Sequence, residues 1–129
     1  MSKISDDLQV LSCILNHCDR IERTIERFGD DKNIFISDRD YIDSVSMNIL
    51  QIGELAGRLT SNFVDYSKER INWRAIRGMR NLFAHAYGAM DLDRIWDTAI
   101  TDIPDLKAYC LAELGLDMGF SDSSETLSM

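Results

Sequence analysis

The sequence predicts an all-α protein, an up-and-down bundle of four to five helices. Apolar residues recur at steps of three and four over long segments, which is the spacing of one buried helical face. No segment of the 129 residues shows the alternation typical of a half-buried strand. The composition, 45% hydrophobic and 28% charged, is that of an ordinary globular domain. The chain is therefore expected to form one helical core.

The first two helices are predicted from long apolar stripes. The first stripe predicts a helix over residues 4–28, which Gly29 would end, since glycine is favoured just after the last helical turn. A polar, turn-like connection follows. The second stripe predicts a helix over residues 38–60, and Ser37 with Asp40 forms a loose capping-box pattern at its start.

Gly53 and Gly57 lie one turn apart inside the second predicted helix. A glycine in a helix costs about 1 kcal/mol relative to alanine. The expected compensation is close approach of another backbone at these positions. The alternative is that both glycines are tolerated weak points.

The third and fourth predicted helices each have a capping residue. Asn72 predicts the start of a helix over residues 73–87, and Asp91 predicts the start of another at Leu92. Pro104 has two interpretations, because proline removes a backbone donor but fits the first turn of a helix. The fourth helix either kinks at Pro104 or restarts there.

The expected domain spans residues 1–114, and residues 115–129, rich in Gly, Ser and Asp, are expected to form a flexible tail. No apolar run is long enough to cross a bilayer, and no basic segment followed by an apolar one begins the sequence, so a cytoplasmic location is expected. The three cysteines form no CxxC pair and are expected to stay reduced: Cys13, Cys18 and Cys110.

The net charge of −8 argues against a protein that coats nucleic acid nonspecifically, because such binding requires basic surfaces. Residues 68–80, here called the basic segment, are a local exception with five basic residues and one acidic residue. Three of its arginines are candidate RNA-binding residues: Arg70, Arg74 and Arg77. Glu54 either pairs with an arginine of this segment or faces solvent, and it is not assigned to the site.

Candidate catalytic residues lie at the end of the basic segment and just after it. His85 can accept or donate a proton near neutral pH, and Arg80 can stabilise negative charge on a phosphate. Such a pair could cleave RNA without a metal, with Asn81 orienting the imidazole or the phosphate. Taken singly, the same residues also fit a half-buried histidine and a surface ion-pair arginine.

Other chemistries have less support. His17 and His85 are the two histidines, and neither belongs to a metal-binding motif, so no metal and no cofactor is expected. On a continuous α-helix, Arg80 and His85 would lie about 140° apart around the axis. A second copy of the chain would therefore help to bring an arginine and a histidine into one cleft.

Residues 80–87, Arg-Asn-Leu-Phe-Ala-His-Ala-Tyr, resemble the Arg-x4-His-x-Tyr motif of HepT-like toxins, a branch of the HEPN superfamily. Further segments are similar to other parts of that family: its Ile-Gly-Glu helix at residues 49–59, its tryptophan-containing lead-in at 72–76, and its last helix at 91–97 and 103–106. The departures are modest, with Phe83-Ala84 before the histidine and Gly88-Ala89-Met90 after the tyrosine.

The resemblance implies a HEPN-like bundle, a homodimer with two motifs facing one cleft, and a metal-independent endoribonuclease with Arg80 and His85 as the catalytic pair. It also implies a toxin–antitoxin system, in which a minimal nucleotidyltransferase antitoxin silences the toxin by transferring AMP to Tyr87. Two alternatives stay open: a non-catalytic module that binds RNA or a nucleotide, and an adaptor that only docks the nucleotidyltransferase.

Overall fold

A computed structural model describes residues 3–82 and 91–116, with side chains for 6–81 and 91–116. Across these ranges the chain is helical and contains no strand, so the predicted all-α bundle is confirmed. The helices are α1 Lys3–Phe28, α2 Lys32–Ser37, α3 Arg39–Ala56, α4 Ser61–Ser67, α5 Trp73–Gly78, α6 Leu92–Asp97 and α7 Ile103–Glu113. A 3-10 turn, Met79–Leu82, follows α5, and a π-helical turn, Thr98–Asp102, joins α6 to α7.

The long helix α1 packs against α3 and α7. One face of α1 is fully buried and supplies Leu11, Ile14, Cys18 and Ile21 to the core. The predicted stop at Gly29 is confirmed, because this residue has a φ of 122° and its amide donates to Ile25 O at 2.8 Å. None of the helices in the described ranges is long and apolar enough to cross a membrane.

The short helix α2 was not predicted. Its buried Phe35 packs edge-on against Tyr41 of α3 and lies beside Trp96 of α6, which ties α2 to the core. The predicted cap of α3 was also wrong. Asp38, rather than Ser37, accepts hydrogen bonds from the first amides of α3, while the Ser37 hydroxyl donates to a backbone oxygen of α2.

Helix α3 ends at Ala56, four residues before the predicted end, and Gly57 is its C-cap. A second short helix, α4, follows and was not predicted either. Thr60 caps α4. The carboxylate of Asp7, which is 2% exposed, accepts from both the amide and the hydroxyl of Thr60, at 2.9 and 2.6 Å. The start of α1 is thereby joined to the start of α4.

The predicted cap of α5 is confirmed, because Asn72 Oδ1 accepts from the Ala75 amide at 3.1 Å. The buried indole of Trp73 donates to Ser67 Oγ at 2.7 Å and anchors α5 to α4. The expectation of a continuous α-helix over residues 73–87 is wrong at Met79–Leu82, which form the 3-10 turn. Residues 83–90 lie outside the described ranges.

The predicted cap of α6 is also confirmed, since Asp91 Oδ1 accepts from the Arg94 amide at 3.2 Å. Of the two interpretations of Pro104, the restart is correct in the position of the proline, but Asp102 forms no side-chain cap and the backbone stays helical through the π-helical turn. Proline lies in the first turn of α7, immediately after the π-helical turn. Of the expected tail, residues 117–129 lie outside the described ranges.

Candidate functional site

The candidate site is centred on Arg80, in the 3-10 turn that follows α5. Ile76 and Met79 are each 7% exposed, and they fix this part of the chain against the core. Both α5 and the 3-10 turn pack against α3. With the apolar positions directed inward, the side chain of Arg80 is left half-exposed at the surface.

Gly53 of α3 lies directly beneath this turn. A β-carbon added to Gly53 would stand 3.1 Å from the backbone nitrogen of Arg80 and 3.4 Å from its Cβ. The predicted close approach of another backbone is therefore confirmed at Gly53. It is wrong at Gly57, where an added β-carbon would meet only carbonyl oxygens of α3 among the described residues. Gly53 thus permits the base of Arg80 to touch α3.

The next residue of α3 contacts the tip of the same side chain. Arg80 Nη1 donates to Glu54 Oε1 at 3.1 Å, and both side chains are 51% exposed. Of the two possibilities open for Glu54, pairing with an arginine of the basic segment is correct. The contact uses one of the five N–H donors of the guanidinium. The sequence offered no way to choose this arginine, because the partners are 26 residues apart.

The structure divides the basic segment into two parts. Arg74 and Arg77 are exposed on α5. Steps of three along an α-helix that tightens into a 3-10 turn place them in a row that leads to Arg80. Arg70 is directed elsewhere, with its guanidinium 5.7 Å from the ring centre of Tyr109 on α7. Lys68 pairs with Asp65 at 3.1 Å.

Tyr109 offers Arg70 a neutral ring. Burial raises the pKa of the Tyr109 phenol to about 12, so the ring carries no charge near neutral pH. The electron-rich face of an aromatic ring attracts a guanidinium. Arg70 is therefore held toward α7, whereas Arg80 is held toward α3.

The remaining candidate residues of the motif are only partly described. Asn81 is exposed on the 3-10 turn, next to Arg80. His85 and Tyr87 lie outside the described residues. The expected angle of about 140° between Arg80 and His85 assumed 3.6 residues per turn, and Met79–Leu82 has the tighter 3-10 geometry. The assumption of α-helical geometry is therefore wrong over Met79–Leu82.

Within residues 3–82 and 91–116, no group of three or more His, Cys, Asp or Glu side chains could hold a metal ion. His17 lies in α1, where its Nδ1 is 2.8 Å from Asn48 Oδ1 of α3. Asn48 is largely buried and also donates to Ser44 O, so His17 belongs to a contact between helices. This position agrees with a structural interpretation of His17.

A family model described as Ribonuclease HepT-like matches residues 14–112. The matched range covers about three quarters of the chain, runs from α1 into α7, and includes both Glu54 and Arg80. No solved structure matches the chain significantly.

Proposed function

Because the chain belongs to the HepT-like family, we propose that it is the ribonuclease toxin of a toxin–antitoxin pair, with Arg80 and His85 as its catalytic residues and Asn81 as a supporting residue. The observation that supports this most directly is the position of Arg80. The first residue of the motif is anchored on α3 at its base, yet half of its side chain remains exposed to a ligand.

The proposed cleavage uses groups of the RNA itself. The ribose 2′-oxygen attacks the adjacent phosphorus, its proton goes to a base, and the bond to the 5′-oxygen breaks as that oxygen gains a proton. His85 is suited to either proton transfer, since an ordinary histidine titrates at about pH 6.5. Arg80 stabilises the negative charge that builds up on the phosphate oxygens. No metal takes part in these steps.

The RNA strand is proposed to follow the exposed arginines of α5. Arg74 and Arg77 precede Arg80 at steps of three and would bind successive phosphates. Arg70 is held toward α7, so it would contact the RNA only where the strand extends in that direction. This local positive row lets an acidic protein bind RNA at one place without attracting it elsewhere.

A second copy and a partner complete the proposal. In a homodimer, two-fold symmetry would bring two motifs to one cleft. A minimal nucleotidyltransferase antitoxin would then transfer AMP to Tyr87. The added phosphate would carry negative charge close to the catalytic arginine, and it would compete with RNA for the guanidinium.

The test is cleavage of a labelled RNA by the purified protein in the presence of a chelator. Wild type should cut the RNA, whereas His85→Ala and Arg80→Ala should lose at least about a hundredfold in rate while they remain folded. Arg23→Ala is a matched control, because Arg23 also pairs with a carboxylate, Asp19, but on α1, outside the candidate site. Binding of RNA by wild type without cleavage would favour the non-catalytic module.

Growth of cells that produce the chain tests its role as a toxin. Wild type should arrest growth, His85→Ala should not, and co-expression of the nucleotidyltransferase encoded beside it should restore growth. The intact mass of the co-expressed protein should then show added AMP, which Tyr87→Phe removes. Normal growth with soluble, unmodified wild-type protein would contradict the proposal.

A further inference from the structure

We propose that Glu54 is a positioning residue for RNA cleavage, which acts through Arg80. Its carboxylate holds one edge of the Arg80 guanidinium, so that the other edge is presented to the scissile phosphate. This inference rests on the proposed ribonuclease function. It adds to that function a residue from α3, outside the motif.

The first support is that α3 fixes the Arg80 side chain at both ends. The base is held where the backbone of Arg80 meets Gly53, and the tip is held by the 3.1 Å hydrogen bond to Glu54. An arginine side chain has many rotamers when free, and ordering it in advance removes an entropic cost from the reaction. Two adjacent residues of one helix therefore determine where the guanidinium points.

The second support is that Glu54 bonds only one side of the Arg80 guanidinium. The contact joins a single nitrogen, Nη1, to a single oxygen, Oε1. A carboxylate that paired through both oxygens would occupy one whole edge of the planar guanidinium group. Among the residues described, no other acceptor bonds the Arg80 side chain. No described residue accepts from the remaining N–H groups, which could bind two phosphate oxygens.

The charge of Glu54 predicts an unusual kinetic result. A carboxylate beside Arg80 reduces the attraction of this surface for RNA phosphates. The same carboxylate orients the group that stabilises the transition state. Loss of Glu54 should therefore lower kcat, because Arg80 is no longer oriented. It should not raise KM, because the repulsion between the Glu54 carboxylate and the RNA phosphates is lost at the same time.

Folding should be little affected by this change. Both side chains of the pair are half-exposed, and exposed ion pairs contribute little to stability. Glu54→Ala should unfold at nearly the same temperature as wild type. A kinetic defect in this variant would then report on positioning.

The experiment compares steady-state cleavage of a labelled RNA by wild type and three variants. Glu54→Ala should lower kcat by about twofold to fivefold, with KM unchanged or reduced. Glu54→Gln keeps an acceptor oxygen for Arg80 and should recover most of kcat, while its KM is unchanged or reduced as in Glu54→Ala. Asp43→Ala removes an exposed carboxylate from the same helix and should behave like wild type.

Equal kcat values for Glu54→Ala and Asp43→Ala would overturn the inference, while cleavage by wild type would leave the proposed function in place. If wild type binds RNA but does not cleave it, the proposed function fails. The Kd for RNA then tests whether Glu54 positions Arg80. Glu54→Ala and Glu54→Gln remove the same charge, but only glutamine can still hold the guanidinium. When Arg80 is present, Glu54→Gln should therefore bind RNA more tightly than Glu54→Ala, and in the Arg80→Ala background the two should bind equally. A difference of the same size in both backgrounds would overturn the inference.

Discussion

Gly53 and the backbone of Arg80 are in direct contact, since a β-carbon on Gly53 would stand 3.1 Å from the Arg80 nitrogen. This distance is shorter than van der Waals contact, and a backbone atom cannot rotate away as a flexible side chain can. Gly53→Ala should therefore push the 3-10 turn away from α3. The overpacking cost of about 1 to 3 kcal/mol should exceed the roughly 1 kcal/mol that alanine contributes as a better helix former.

Gly78→Ala is the matched control for this prediction. Gly78 lies two residues before Arg80, and an added β-carbon there would meet no described residue within 4 Å. The Gly78→Ala substitution should stabilise the protein by up to about 1 kcal/mol. Urea denaturation should therefore give opposite signs for the two variants, and RNA cleavage should fall only in Gly53→Ala. Equal stabilisation by both changes would show that the 3-10 turn moves without cost.

Local signals in the sequence were enough to place several helix ends. Gly29, Asn72, Asp91 and Pro104 each act on the backbone within a few residues, so their effect can be inferred from position alone. The predicted start of the first helix was within one residue of Lys3, and its end at Phe28 was correct.

Features that depend on tertiary contacts could not be predicted. Helices α2 and α4 have six and seven residues, too few to show an apolar stripe or to be stable alone. They form because Phe35 and Phe63 pack into the core. The pairing of Glu54 with Arg80 has the same origin, because it exists only when α3 and the 3-10 turn are packed together.

A buried hydrogen bond between α4 and α5 should contribute to the stability of the protein, since α5 leads into the turn that carries Arg80. Ser67 and Trp73 are each 2% exposed, and Ser67 Oγ accepts from the indole at 2.7 Å. Ser67→Ala leaves the indole N–H without this acceptor and should cost about 1 to 3 kcal/mol. Ser61→Ala, an exposed serine of α4, is the control. Equal unfolding midpoints in urea would mean that another acceptor replaces Ser67.

The three cysteines are free and should differ in reactivity. Burial raises the pKa of Cys110 to about 12 and raises that of Cys18 well above its ordinary value. Since the thiolate is the reactive form, iodoacetamide near neutral pH should modify exposed Cys13 at least about a hundredfold faster than the other two. Mass spectrometry of digested protein would measure this. In denaturant the three cysteines should react at similar rates. Similar rates in the folded protein would contradict the prediction.

Asp102, in the π-helical turn before α7, should make stability depend on pH. Although Asp102 is exposed, partial desolvation raises its pKa, and the charges of Asp105 and Asp97 raise it further. The folded state then binds the proton more tightly than the unfolded state, so the charged carboxylate destabilises the fold above the raised pKa. This penalty decreases as the pH falls through that pKa, and it vanishes below the ordinary value of 3.8.

Asp102→Asn should therefore raise the thermal midpoint at pH 7, and the difference from wild type should shrink toward pH 4. The protein carries a net charge of −8, so the loss of any carboxylate also reduces general repulsion. Asp43→Asn, an exposed position on α3, measures that general effect and should be subtracted. Thermal midpoints recorded from pH 4 to pH 8 test the prediction. A difference that is the same at every pH would show that the stabilisation comes from packing and that proton binding at Asp102 has no part in it.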